Sequence, residues 1–156
     1  MEIKKVLFVC TYHGARSLIA EAFINLIAQG RIKAHSSCFE QGKIGPLVID
    51  VIQEIGIDIS SEAPKSVFER YIEGDSFDYV ISLCHEATTE QCPTFKKSVD
   101  TLYSNEAERI SWSIPDFKSL SGTGEEKKVK AREIRDKIKL EVISFLAQIG
   151  IVTEIA

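Results

Sequence analysis

The chain has 156 residues, 44% of them apolar and 27% charged, with a formal net charge of −4. That length supports one sizeable core, and so one domain over residues 1–156. Mild acidity without a basic block argues against nucleic-acid binding, and no apolar run reaches the roughly eighteen residues that span a membrane. No signal-peptide pattern opens the chain, and its four cysteines are too few for a disulfide-framed mini-protein. A cytoplasmic protein with catalytic, redox or buried thiols is therefore expected.

Val6-Leu7-Phe8-Val9 is a short apolar run that suits a strand buried on both faces. From Arg16 to Gln29 the pattern turns helical, with Ile19, Phe23, Leu26 and Ile27 on one face and Gly30 as the stop. Ile32 to Cys38 reads as a second strand, which makes Cys38 a core residue and gives His35 a packing role. Pro46 then opens a helix running to Ile55-Gly56. A shorter helix is expected over 66–72, strands over 77–83 and 109–114, and a long helix over 125–148. Ile134, Ile138, Val142 and Phe145 stack along one face of that last helix. Its charged face, with Lys127, Lys128, Lys130 and Arg132, is expected to be solvated, and Trp112 to be a packing anchor. Strands alternating with helices imply a parallel sheet covered on both faces. Ligands of such sheets sit beyond the carboxyl ends of the strands, which points to Cys10, Cys84 and the segment after Ile114.

The strongest motif is Cys10-Thr11-Tyr12-His13-Gly14-Ala15-Arg16-Ser17, a C-x5-R-S loop between a strand and a helix. The bare spacing is cheap, but its context is not. Gly14 permits a tight turn, and a turn at a helix N-terminus directs backbone N–H groups inward as an anion site. Those donors, drawn from Thr11, Tyr12, His13, Gly14 and Ala15, favour the Cys10 thiolate together with the helix dipole and Arg16. The planar fork of Arg16 suits two oxygens of a tetrahedral oxyanion. The Ser17 hydroxyl can donate to the Cys10 sulfur, both as nucleophile and as leaving group. The bland alternative is a buried strand-end cysteine with an arginine in a first helical turn.

This loop resembles that of the low-molecular-weight tyrosine phosphatase superfamily, which includes thioredoxin-coupled arsenate reductases. The similarity extends over Arg16-Ser17-Leu18-Ile19-Ala20-Glu21, Ile55-Gly56-Ile57-Asp58-Ile59-Ser60, Val80-Ile81-Ser82-Leu83-Cys84, Trp112-Ser113-Ile114-Pro115-Asp116 and Ile134-Arg135-Asp136-Lys137-Ile138. It implies a flavodoxin-like three-layer α/β fold, a four-stranded parallel sheet with helices on both faces. It also implies a covalent mechanism through Cys10, with Asp116 as the general acid. The reading of Asp116 from the residues alone is a turn residue after Pro115.

Two features lean toward the reductases. Cys84-His85-Glu86-Ala87-Thr88-Thr89-Glu90-Gln91-Cys92-Pro93 resembles the pair in which one cysteine attacks the nucleophile's sulfur and the next resolves that disulfide. Phe117-Lys118-Ser119-Leu120 stands where the phosphatases usually carry two tyrosines. Without the resemblance, Cys84 and Cys92 read as a core thiol and an incidental loop thiol, and their spacing with His85 fits no common zinc pattern. The chain departs from the family at Tyr12 and His13, usually Gly and Asn, and at Ala15, where a cysteine is common. Arsenate reduction with thioredoxin as reductant is the expected function, with neither metal nor cofactor, in a monomer. Phosphotyrosine hydrolysis is the alternative, and a non-catalytic oxyanion or phosphopeptide binder is the third.

Overall fold

The computed structural model of the chain describes all residues other than 1, 2, 13, 14, 41, 63, 64, 75, 85–96, 98, 104–106 and 152–156, and all of their side chains except those of Tyr12, Glu40 and Ser119. Strand β1 (Lys4–Tyr12) pairs in parallel with β2 (Ile32–Glu40) on one side and β3 (Tyr79–Cys84) on the other, and β3 pairs in parallel with β4 (Glu108–Ser113). The order β2-β1-β3-β4 makes this the expected four-stranded parallel sheet. A central strand must be apolar on both faces, and Val6 to Cys10 are all fully buried. β1 runs further than its apolar core because the ladder continues to Tyr12, opposite Glu40. β3 begins later than expected: Phe77 precedes it and packs edge-on against His35 and Tyr103.

Helix α1 (Ala15–Ala28) stops where Gln29 and Gly30 both turn left-handed, with φ of 48° and 87°. Helix α2 (Pro46–Gln53) has Pro46 in its first turn, and it ends before the expected Ile55-Gly56, where a tight turn takes over. Helix α3 (Val67–Ile72) is capped by Ser66, whose hydroxyl accepts from the Phe68 N–H at 3.2 Å. Helix α4 (Gly124–Gln148) opens on Thr123 as its N-cap. The Thr123 hydroxyl accepts from the Glu126 N–H at 3.2 Å and donates to Glu126 Oε1 at 3.2 Å.

Alternation along the strands sorts side chains onto two faces. Phe8, Cys10, Cys38 and Leu83 join the larger cluster with α1, α2 and α4, while Leu7, Val9, Val80 and Cys84 join a smaller one with Val67 of α3. Trp112 anchors the larger cluster, its ring 5.5 Å from Phe8 and 6.4 Å from Phe145. The charged face of α4 is not simply solvated. Arg132 makes a bidentate pair with Glu54, Nη2 to Oε2 at 2.7 Å and Nε to Oε1 at 3.0 Å. Arg135, largely buried, donates to the Val51 carbonyl and to Glu54 Oε1, both at 2.8 Å. The end of α2 is thereby clamped to α4. No helix among the described residues is long and apolar enough to cross a membrane.

Candidate active site

The chain passes from β1 to β2 on one side and returns to β3 on the other, so the sheet has its switch point between β1 and β3. Ligands of open parallel sheets bind beyond the carboxyl ends of the strands at that point. Those ends carry Cys10 and Cys84. The register aligns Cys10 with Leu83, which leaves Cys84 one position further along.

Cys10 is fully buried, and its Sγ lies 3.2 Å from Ser17 Oγ, in the first turns of α1. Ser17 Oγ in turn donates to the main-chain carbonyl of Ser37 at 2.8 Å. The hydroxyl has a single hydrogen, so while it is given to Ser37 the Cys10 S–H donates to Ser17. Once Cys10 ionises, a rotation of the Ser17 hydroxyl turns that hydrogen toward the thiolate.

Arg16 is 1% exposed, and its Nη1 donates to the Ile114 carbonyl at 2.9 Å. The Ile114 N–H donates to the Cys84 carbonyl at 3.3 Å. One residue thus ties the arginine of the α1 turn to the end of β3, and it stands two positions before Asp116. Asp116 is half-buried and caps the 3-10 turn Phe117–Ser119, its Oδ1 accepting from the Lys118 N–H at 3.3 Å. Phe117 is buried in the larger cluster. A buried guanidinium at a helix start is suited to an oxyanion held in the adjacent turn.

Of the expected anion-binding residues, Thr11 and Ala15 are buried, and Thr11 Oγ1 has no hydrogen-bond partner among the described residues. His13 and Gly14 lie outside the described residues, as do His85 and Cys92. Cys84 is buried and disulfide-bonded, whereas Cys10 and Cys38 are free thiols. Burial pushes the Cys38 thiol up to about 12, with the charges of Cys10 and Glu69 adding to the effect.

Sequence reasoning missed two participants, and a half-buried carboxylate outside the thiol site. The carbonyls of Ser37 and Ile114 carry no side-chain signature, so only the register and the crossing of chain segments reveal them. That carboxylate is Glu21, which accepts from Ser36 Oγ at 2.9 Å. Burial raises its carboxyl above the ordinary range, opposed by Ser36 and Arg70. Glu21 lines a groove of about 460 Å³ further along α1, with Leu18, Asn25, Gly56, Asp58 and Glu62. That groove contains no thiol.

Residues 5–152 match the family described as low molecular weight phosphotyrosine protein phosphatase. The chain belongs to that family. Among its relatives is a glutaredoxin arsenate reductase of Synechocystis, 37% identical over 82 residues, a match covering 53% of this chain and 61% of that protein. An arsenate reductase of Halalkalibacterium halodurans is 29% identical over 145 residues, covering 93% of this chain and 96% of the relative. Among solved structures, an arsenate reductase in the phosphate binding state superposes with a TM-score of 0.70 at 26% identity, over 95% of this chain and 100% of that one. A thioredoxin-dependent arsenate reductase of Corynebacterium glutamicum gives 0.63 at 25% identity, over 94% of this chain and 62% of that one. These solved structures thus share the fold of this chain.

Proposed function

We propose that this protein reduces arsenate to arsenite, as a single domain in the cytoplasm that acts as a monomer and is regenerated by thioredoxin. The observation that carries this reading is the state of the thiols. Cys84, at the switch point beside the strand of Cys10, is disulfide-bonded, while Cys10 and Cys38 are free. A phosphatase has no need of an oxidisable cysteine there. The names of the relatives support the same substrate.

In the proposed sequence, the Cys10 thiolate attacks arsenic while Arg16 and the N–H groups of Thr11 to Ala15 hold the oxyanion. Asp116 protonates the departing oxygen, which leaves as water. Cys84 then attacks Cys10 Sγ. The S–As bond breaks with its electron pair left on arsenic, so arsenite leaves as As(III) and a Cys10–Cys84 disulfide remains. Cys92 attacks Cys84, which frees Cys10 and leaves Cys84–Cys92 for thioredoxin to reduce. Ser17 stabilises the sulfur of Cys10 before attack and again when it leaves.

The family match favours one second reading, hydrolysis of phosphotyrosine through a cysteinyl-phosphate. A thioredoxin-coupled arsenate assay run beside an aryl-phosphate assay separates the two. Arsenate turnover that is lost in Cys84→Ser, with phosphate-ester hydrolysis left intact, is the expected result. Ester turnover with no arsenate reduction would overturn it in favour of the phosphatase.

A further inference from the structure

Cys38 is a buried thiol with no part in that cascade. It stands directly opposite Cys10 in the β1–β2 ladder, and both are 0% exposed in the larger core cluster. Neighbouring strands lie about 4.8 Å apart, inside the roughly 4.4–6.8 Å between Cα atoms that a disulfide spans. Residues in register on parallel strands point to the same face. β2 is the outer strand of the four, and on its far side Cys38 is held by a parallel bridge to Ser66 and by its N–H to the Lys65 carbonyl at 2.9 Å, so closure is a matter of side-chain rotation. Cys84 faces the other cluster and is already oxidised. In that state, Cys38 is the thiol that remains beside Cys10.

We propose that Cys38 is a protective partner of Cys10, closing a reversible Cys10–Cys38 disulfide when a hydroperoxide oxidises the nucleophile. The inference rests on the reading of Cys10 as the nucleophile. The Cys10 thiolate attacks one peroxide oxygen, the O–O bond breaks, and Cys10 becomes a sulfenic acid as hydroxide leaves. Cys38 then attacks the Cys10 sulfur. The S–S bond forms, the S–O bond breaks, and the hydroxyl departs as water with the Cys38 proton. Two electrons leave the two thiols, and with one further proton the peroxide ends as two waters.

The surroundings of Cys38 suit this order of events. Burial and the charge of Cys10 keep Cys38 protonated at neutral pH, so it neither competes for substrate nor oxidises first. Once Cys10 is a neutral sulfenic acid, one of the charges that opposed ionisation of Cys38 is gone, while burial and Glu69 still hold its thiol high. Attack gives up the weak contact from Cys38 Sγ to the Lys65 carbonyl at 3.7 Å, while the Cys38 N–H keeps that carbonyl at 2.9 Å. A bridge across neighbouring strands is strained, and strained disulfides are readily reduced.

The test treats the oxidised protein with hydrogen peroxide in the absence of arsenate and reductant. Free thiols are then alkylated, and the digest is mapped by mass spectrometry. The wild type is expected to yield a linked peptide pair containing Cys10 and Cys38, and to regain its activity with dithiothreitol. Cys38→Ala should retain basal activity but accumulate sulfinic acid at Cys10, with recovered activity lower by about tenfold. Cys38→Ser, whose hydroxyl can still reach the Lys65 carbonyl, gives the same comparison if the alanine variant fails to fold. Equal sulfinic acid in wild type and variants, or a Cys10–Cys84 pair in place of Cys10–Cys38, overturns the inference while activity still depends on Cys10. Full activity in Cys10→Ser would remove the nucleophile reading, and this inference with it.

Discussion

Ser17 has one hydroxyl hydrogen and two acceptors within reach, the Ser37 carbonyl at 2.8 Å and the Cys10 sulfur at 3.2 Å. Its choice between them follows the charge on the sulfur, because a hydrogen bond to a thiolate outweighs one to a neutral carbonyl. In the proposed mechanism, removing the sulfur removes the reaction. Cys10→Ser is expected to abolish turnover of arsenate and of phosphate esters alike, while oxyanion affinity survives through Arg16 and the backbone donors. Isothermal titration with phosphate beside the activity assays checks both halves, and turnover in this variant would sink the covalent mechanism. Asp116 is a separate case, since its carboxylate also caps a turn. Asparagine keeps that acceptor oxygen, so Asp116→Asn should preserve the thermal midpoint while slowing the chemical step by about 10²–10⁴-fold. An unchanged single-turnover rate would assign the protonation to another group.

Between elements, the firmest polar link joins the end of α2 to α4. Glu54 receives Arg132 and Arg135 together, and its carboxyl is pushed down to about 2, first by the Arg132 hydrogen bond. A carboxylate with a depressed folded pKa stabilises the fold above its unfolded value, near 4.5, and loses that contribution as pH falls toward 2. Solvent reaches the pair, so the effect is modest. Glu54→Gln should lower the urea midpoint at pH 7, and the gap to wild type should close between about pH 4.5 and 2. A gap that stays constant across that range would mean that the link works by packing alone. Arg135 has a second function, since its bond to the Val51 carbonyl satisfies a main-chain acceptor at the end of α2.

Across the whole molecule, the sheet itself stands between the two proposed thiols. Cys10 belongs to the cluster under α1 and α4, and Cys84 to the cluster under α3. Cys84 cannot reach Cys10 until the tip of β3 turns over or peels away. That tip is held by the Ile114 N–H to the Cys84 carbonyl, the bond that also ties in Arg16 through Ile114. Trapping the intermediate exposes this motion. Cys92→Ser, treated with arsenate and no reductant, should stop at a Cys10–Cys84 disulfide, with faster amide exchange at 83–84 and at Ile114 than in the wild type. Peptide mapping and hydrogen exchange read both. Free thiols at Cys10 and Cys84 after arsenate would end the reductase reading.

The order and type of the elements lay open in the sequence because each is a local pattern. Val6-Leu7-Phe8-Val9 is apolar on both faces and became the central strand, Pro46 opened its helix, and the stacked Ile134, Ile138 and Val142 lie on the buried side of α4. The contact of Cys10 with Ser17 was equally legible, since a strand end and a helix start seven residues apart bring those two side chains together. What lay beyond reach were relations between distant segments. The opposition of Cys10 and Cys38 needs the ladder register, and the opposite faces of Cys10 and Cys84 need the parity of two paired strands. The junction at Ile114 uses only main-chain atoms, which every residue possesses. Side-chain chemistry and periodicity are therefore written residue by residue, whereas partners across the sheet arise only when the chain packs against itself.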